Sequence, residues 1–379
     1  MDDVAGGGGV SGVDFSDEEK VVAWLEEQSV EVRCAIASRA TLRVSANICR
    51  VEGEDFPRIA LPVFRALLTS AAYGSGLSAD LEWLQSTSVS VCAAARSAAS
   101  LIDVQNASSA IPFTILSAGL AALSVGDTTA GAAADSITHS TRSVTHGKGN
   151  TTILSAATKD TEQQTFASFE FPLWQGVEVP SSIALNHQDF LDLLDQNRAT
   201  WGFWHDWYLA MWEGRFTDWD LAIEVAKIPD DVWEQGAEAV ASEIDKKWAR
   251  QAVRSALNNL PRTDTLNAAD RHGIGGNAPP EALEDVAQLA SQTTLIWAGV
   301  EALEKEAYAE KPNKTRILAA IALLQSGAGA CVKWLGRKMD LTIDELIKWG
   351  VPTGAAHLLL NQPKIQALIH AAIKWSGLL

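Results

Sequence analysis

The chain has few of the residues on which most recognisable chemistry is built. It has four cysteines in 379 residues, Cys34, Cys49, Cys92 and Cys331, and no C-x-x-C pair among them. They sit in Ala-rich, apolar surroundings where a free thiol behaves as a small hydrophobe, which fits a reducing compartment better than a disulfide framework. The seven histidines are scattered and H-E-x-x-H is absent. There is no G-x-S-x-G elbow, so serine-hydrolase chemistry has no support. Gly147-Lys148 lacks the upstream glycine and the leading strand of a phosphate loop. Gly273-Ile274-Gly275-Gly276 lacks the strand–turn–helix setting of a dinucleotide site. No catalytic residue, metal or cofactor is therefore expected.

Positive charge is also short. With 30 basic and 47 acidic residues the formal net charge is −17. Such a surface repels a phosphate backbone and gains little from counterion release, which argues against nucleic acid as a partner. The N-terminus runs from Met-Asp-Asp into Gly6–Gly9, without a basic region or apolar core, so no secretion signal is expected. Together these features point to the cytoplasm.

What is present is helical texture. Apolar residues make up 47% and charged residues 20%, a globular composition. Residues 1–15 read as a flexible tail. Ser16 with Glu19 forms a capping box, and residues 16–137 form an Ala-rich N-terminal helical domain. Its helices are expected at 17–28, 31–50, 58–72, 79–103 and 113–137, with breaks at Gly53, Pro57, Gly74, Gly76 and Pro112. Thr, Ser, Gly and Gln dominate 138–186, which reads as a linker with an extended piece at 165–171.

Residues 187–258 are the most distinctive. Phe190, Leu194, Asn197, Trp201, Trp204, Tyr208 and Met211 alternate spacings of four and three, one face of a helix that starts near Asn186 and ends at Gly214. Asp218 caps a second helix, Pro229 opens a short turn through Trp233, and Gly236 precedes a helix over 237–258. Residues Trp201, Trp204, Trp207, Tyr208, Trp212, Trp219 and Trp233 are the candidate packing or interaction residues. An aromatic-walled acid–base site would need His205 and Asp206 together, but neighbours on a helix diverge by about 100° and are expected not to meet. Aromatic residues at helical spacing ordinarily pack in cores and interfaces.

A second linker is expected at 259–280. Beyond it, over 281–379, lie a hairpin and trailing helices. Leu283, Val286, Ala290, Thr293, Trp297 and Val300 repeat three-four-three-four-three. Ile317, Ile321, Leu324, Ala328, Cys331 and Leu335 repeat four-three-four-three-four after the turn Lys311-Pro312-Asn313. Two matched seams joined by a short loop predict an antiparallel helical hairpin. Thr342 with Glu345 makes a further cap, and Ile365, Leu368, Ile369, Ala372 and Ile373 mark a last helix. The seam is also the candidate membrane contact. However, Ile317–Val332 is sixteen uncharged residues, short of the roughly 20 that span a bilayer. Lys333, Arg337, Lys338, Lys348, Lys364 and Lys374 give this end a local basic character suited to an anionic surface.

The spacing Trp201-x-x-Trp204-x-x-Trp207-Tyr208, Gly214, Trp219-Asp220-Leu221, Ile228-Pro229 and Trp233-x-x-Gly236 resembles a group of bacterial helical proteins with no known activity. Many of them carry a linker G-I-G-H-N-x-P-P. Here Gly273-Ile274-Gly275-Gly276-Asn277-Ala278-Pro279-Pro280 matches it except that Gly276 replaces the histidine, so no imidazole acts there. The resemblance covers roughly 174–280. It implies a bacterial origin and relatives, not an activity.

The expectation is an all-α fold comprising an N-terminal helical domain, a Trp-rich module and a C-terminal hairpin. Its function is expected to be non-catalytic protein interaction or scaffolding, with an unidentified protein partner or self-association. The alternatives are membrane association through the hairpin and an enzyme with an unrecognised site near the Trp-rich module.

Overall fold

A computed structural model describes residues 17–51, 53–77, 81–102, 110–127, 129–144, 149–162, 169–260, 280–335 and 362–379. The fold is all-α, with fifteen α-helices among the described residues. They are α1 (Glu18–Glu26), α2 (Val30–Val44), α3 (Asp55–Gly74), α4 (Leu81–Ser100), α5 (Ala110–Leu123), α6 (Gly131–Arg142), α7 (Gly149–Glu162) and α8 (Ser181–Asp195). They continue with α9 (Arg198–Glu213), α10 (Trp219–Ala226), α11 (Asp230–Glu234), α12 (Ala237–Asn258), α13 (Pro280–Tyr308), α14 (Lys314–Leu335) and α15 (Gln362–Leu378). A 3₁₀ helix, Ser45–Arg50, continues α2.

The chain divides into two compact units, Met1–Ile244 and Asp245–Leu379, with the boundary inside α12. This differs from the expected three-part map. The first unit places the N-terminal helices and the Trp-rich segment in one hydrophobic core, where Phe56, Ile59 and Phe64 of α3 meet Phe190, Trp201, Trp204 and Trp207. The Ala-rich helices leave room that large aromatic side chains fill, so neither part buries its apolar face without the other.

Helix α2 runs through this unit. Every residue from Arg33 to Val44 is buried, so it has no solvated face. Ser29 caps it through Val32 N–H at 3.4 Å. Small residues let its neighbours approach closely: a Cβ placed on Gly74 of α3 would lie 2.6 Å from the Ala35 backbone nitrogen. Buried hydroxyls tie α2 to α5 and α6, with Thr41 Oγ1 2.6 Å from Ser117 Oγ and Ser117 Oγ 2.6 Å from Ser140 Oγ. Each hydroxyl finds a partner, so the polar atoms do not weaken the interface.

Several boundaries differ from expectation. Asp17 caps α1, accepting from Lys20 N–H at 3.3 Å, and the expected Ser16 lies outside the described residues. Pro57 and Pro112 fall in the first turns of α3 and α5, where a missing N–H costs nothing, so neither breaks its helix. The stretch expected as a linker over 138–186 contains the end of α6, all of α7 and the start of α8. Its hydroxyls bond back to carbonyls three or four residues earlier, as Thr158 does to Leu154 at 3.0 Å and Thr161 to Thr158 at 2.7 Å. Ser- and Thr-rich sequence is therefore compatible with helix here. The expected single helix after Asn186 is two, broken at Gln196-Asn197, where Asn197 has φ −136 and ψ 69. Gly214 ends α9 in the left-handed conformation at φ 67, as its position predicts.

In the second unit α13 and α14 form the expected antiparallel hairpin: a Cβ on Gly299 would meet Leu324, and one on Gly327 would meet Ile296. Ala249, Val253 and Leu257 of α12 and Ile365, Leu368 and Trp375 of α15 complete the core. Glu306, near the end of α13, accepts from Asn313 N–H at 2.7 Å, and Asn313 Oδ1 accepts from Arg316 N–H at 3.1 Å. The turn thus caps α14 twice. Arg250 and Arg254 each donate to the Ala307 carbonyl at 2.8 Å, satisfying the C-terminal end of α13. The second linker's 261–279 and the cap at Thr342 lie outside the described residues.

Candidate functional site

Helix α9 carries Trp201, Trp204, Trp207 and Trp212, α10 carries Trp219 and α11 carries Trp233. Trp201, Trp204, Trp207, Tyr208, Trp219 and Trp233 are buried, and Trp212 is half-buried. Trp204 stacks on Phe64 with centroids 4.8 Å apart and meets Trp207 and Trp233 edge-on or tilted at 6.1 Å. Trp201 contacts Phe56 at 5.3 Å. Trp233 donates its indole N–H to the Ile228 carbonyl at 2.9 Å, and the Arg65 guanidinium lies 4.8 Å above its ring and pairs with Asp230. These contacts make the motif an internal packing device, with Trp201, Trp204 and Trp233 packed against α3.

Two polar constellations lie beside this core, and neither is legible from motif spacing. The first is a buried cluster of Arg39, Arg43 and Asp160. Asp160, on α7, accepts from Arg39 Nε at 2.8 Å and from Arg43 Nη2 at 2.8 and 2.6 Å. The same guanidiniums donate to three consecutive carbonyls: Arg39 to Phe171 and Pro172 at 2.9 Å each, and Arg43 to Leu173 at 2.8 Å. Burial lowers the Arg43 pKa and Asp160 opposes that shift. The Arg43 guanidinium also lies 5.8 Å from the Trp174 ring. The segment it holds is fixed from the other side by α9, through Leu173 N–H to the Trp212 carbonyl at 3.0 Å. Gly214 packs so closely on Phe171 that a Cβ there would lie 2.1 Å from a backbone carbon.

The second constellation leads from the surface inward. The His187 ring stacks on Trp212, with centroids 3.9 Å apart and planes at 16°. Its Nδ1 is 3.1 Å from the Tyr208 hydroxyl. Tyr208 is fully buried, and nearby Ser45 Oγ donates to the Leu42 carbonyl at 3.0 Å. Desolvation lowers the His187 pKa, and Glu213 partly opposes that shift. Burial holds the Tyr208 hydroxyl well above its ordinary value.

His205 and Asp206 do meet, contrary to expectation: His205 Nδ1 is 2.9 Å from Asp206 Oδ1. On an exposed face the side chains turn toward each other around Arg198, which contacts Asp206 at 3.0 Å and the same imidazole nitrogen at 2.6 Å. One nitrogen cannot accept from Arg198 and donate to Asp206 together, so the two contacts are protonation alternatives.

In the hairpin, Ile317, Ile321, Leu324, Ala328 and Cys331 are buried against α13, and the side chain of Leu335 lies outside the described residues. The α13 side of the seam uses Thr293, Ile296, Val300, Leu303 and Ala307. Trp297, expected there, is only part-buried, because Ile296 occupies the contact with Gly327. Leu283, Val286 and Ala290 have side chains outside the described residues. Among the described residues no helix is long and apolar enough to cross a membrane.

Charge divides sharply between the units. Residues 1–244 hold 34 acidic and 14 basic side chains, a net of −20, whereas residues 245–379 hold 13 acidic and 16 basic, a net of +3. The second unit also carries Trp248, 50% exposed, with the Lys374 ammonium 5.5 Å from its ring centroid. Sequence periodicity passed over Trp248 because its neighbours on α12 are small or charged. Comparison of the chain with known protein families, with curated proteins and with solved structures found no match.

Proposed function

We propose that the protein is a non-catalytic interaction protein whose two units offer surfaces of opposite charge, and that it belongs to the bacterial helical group sharing the W-x-x-W-x-x-W-Y core. The observation that carries this reading is the charge division, −20 against +3, between two units that each have their own hydrophobic core. Complementary potentials of this kind steer encounter and select partners more than they stabilise a fold. The Trp-rich motif then serves the proposal indirectly, as the rigid core of the acidic unit. Burial of Ile317, Ile321, Leu324, Ala328 and Cys331 between helices favours a packed hairpin over one that offers this seam to lipid.

Size-exclusion of the full-length protein in extract of the organism that makes it tests the reading. At about 0.1 M salt, where charges act over roughly 10 Å, it should elute well above its own 40.6 kDa. At about 1 M, where that reach falls to roughly 3 Å, the complex should shrink. Elution at monomer size in both conditions contradicts the proposal.

A further inference from the structure

Trp248 is half exposed, and its ring meets the Lys374 ammonium. Trp297 is part-buried and Trp375 is buried in the second unit's core, and in the first unit every tryptophan is buried or part-buried. Trp248 instead stands half in solvent on the outer stripe of α12, with exposed Asp245, Ala252 and Ser255 before and after it. An exposed indole forgoes burial worth roughly 25 cal/mol for each Å². Lys374 lies over its ring, is itself exposed, and has no carboxylate within ion-pairing distance among the described residues. The adjacent Ile373 is 43% exposed. An aromatic anchor, a cation with no acidic partner among the described residues and an exposed aliphatic side chain together have the composition of a binding hot spot.

We propose that this surface docks onto the acidic first unit of a second copy of the chain, an inference that rests on the interaction reading above. Charge complementarity selects that occupant. The first unit presents exposed Asp231, Glu234 and Glu238 within eight residues that hold no basic side chain, beside Asp230, which pairs with Arg65. Every copy brings both faces at equal concentration. A two-fold dimer, in which each copy lends its Trp248 face to the other's carboxylates, is the closed form of such pairing. The carboxylates are then held close to Lys374, and Trp248 is removed from water beneath them.

Sedimentation velocity on the purified full-length chain decides the matter, at about 0.1 M and about 1 M salt. The expected result is a concentration-dependent dimer that weakens at high salt. Trp248→Ala and Lys374→Glu should each raise its dissociation constant by roughly tenfold or more, with an unchanged circular dichroism spectrum. A dimer unaffected by both substitutions overturns the proposal. So does a purified monomer that pellets with phosphatidylserine vesicles, which assigns the face to lipid. A purified monomer that still elutes in a large complex from host extract removes self-pairing and leaves the interaction reading standing. Monomers in both preparations remove both.

Discussion

Asp160 lies 2.6 Å from Arg43, and the two side chains are almost wholly buried, at 4% and 0% exposure. This pair, with Arg39, joins α7 to α2 and holds the Phe171–Leu173 backbone against both. The desolvation of two guanidiniums is offset only while the carboxylate remains. Asp160→Ala should therefore cost about 3–5 kcal/mol, the penalty for leaving a buried charge without its partner. Urea unfolding of the variant is the check, and a midpoint within experimental scatter of the parent would show that the arginines find water or another acceptor.

That cluster marks where sequence reasoning stopped. The all-α class, the ends at Gly214 and Gly236, the cap at Asp218 and the α13–α14 hairpin followed from period and capping chemistry, which are local. Asp160 was invisible because Ser, Thr and Gly around it have the composition of a loop, and because its partners lie 117 and 121 residues away. The fusion of the Trp-rich segment with α3 was hidden for a related reason. A helical stripe announces that a face is buried but not against what. The His187–Tyr208 contact joins two separate helices, so no spacing rule reports it. Trp248 carried one signal that could have been used, an aromatic residue interrupting the polar stripe of α12.

Gly214 combines a left-handed φ of 67 with backbone contact to Phe171. Gly214→Ala meets both penalties, strain at positive φ and a clash that no rotamer relieves. The expected loss is well over 1 kcal/mol in a thermal melt, together with faster exchange of the Leu173 amide that bonds Trp212. A normal melt and a protected Leu173 amide would contradict the close packing.

The two glycines of α14 give a paired test of the hairpin. A Cβ on Gly327 would lie 2.6 Å from the Ile296 side chain and 2.8 Å from the Gln292 carbonyl, whereas one on Gly329 would meet nothing within 4 Å. Gly327→Ala should destabilise the second unit by about 1–3 kcal/mol, as overpacking does. Gly329→Ala should be neutral or gain up to about 1 kcal/mol of helix propensity. Equal effects at both positions would mean that α13 does not approach α14 on the Gly327 face.

His187 makes a pH prediction of definite sign. Its folded pKa lies below the ordinary 6.5 because burial disfavours the imidazolium more than Glu213 favours it. Its contribution to stability is thus present above pH 6.5 and is lost as pH falls through the folded value. An imidazole resonance titrating below pH 6.5, and missing from the His187→Gln spectrum, is the expected result by nuclear magnetic resonance. A midpoint above 6.5 would place the ring in a wetter or more acidic setting than the stack on Trp212 provides.

The tryptophans divide into two kinds: Trp204 packs the core of the acidic unit, and Trp248 is half exposed on the surface of the other. Chemical unfolding of Trp204→Ala beside Trp248→Ala tests this division directly. Trp204 is 1% exposed and stacked on Phe64, so its truncation should cost about 3–5 kcal/mol. Trp248→Ala should leave the unfolding midpoint within about 0.5 kcal/mol of the parent, as surface substitutions do. A Trp204→Ala protein of full stability, or a Trp248→Ala protein that unfolds early, would contradict the account.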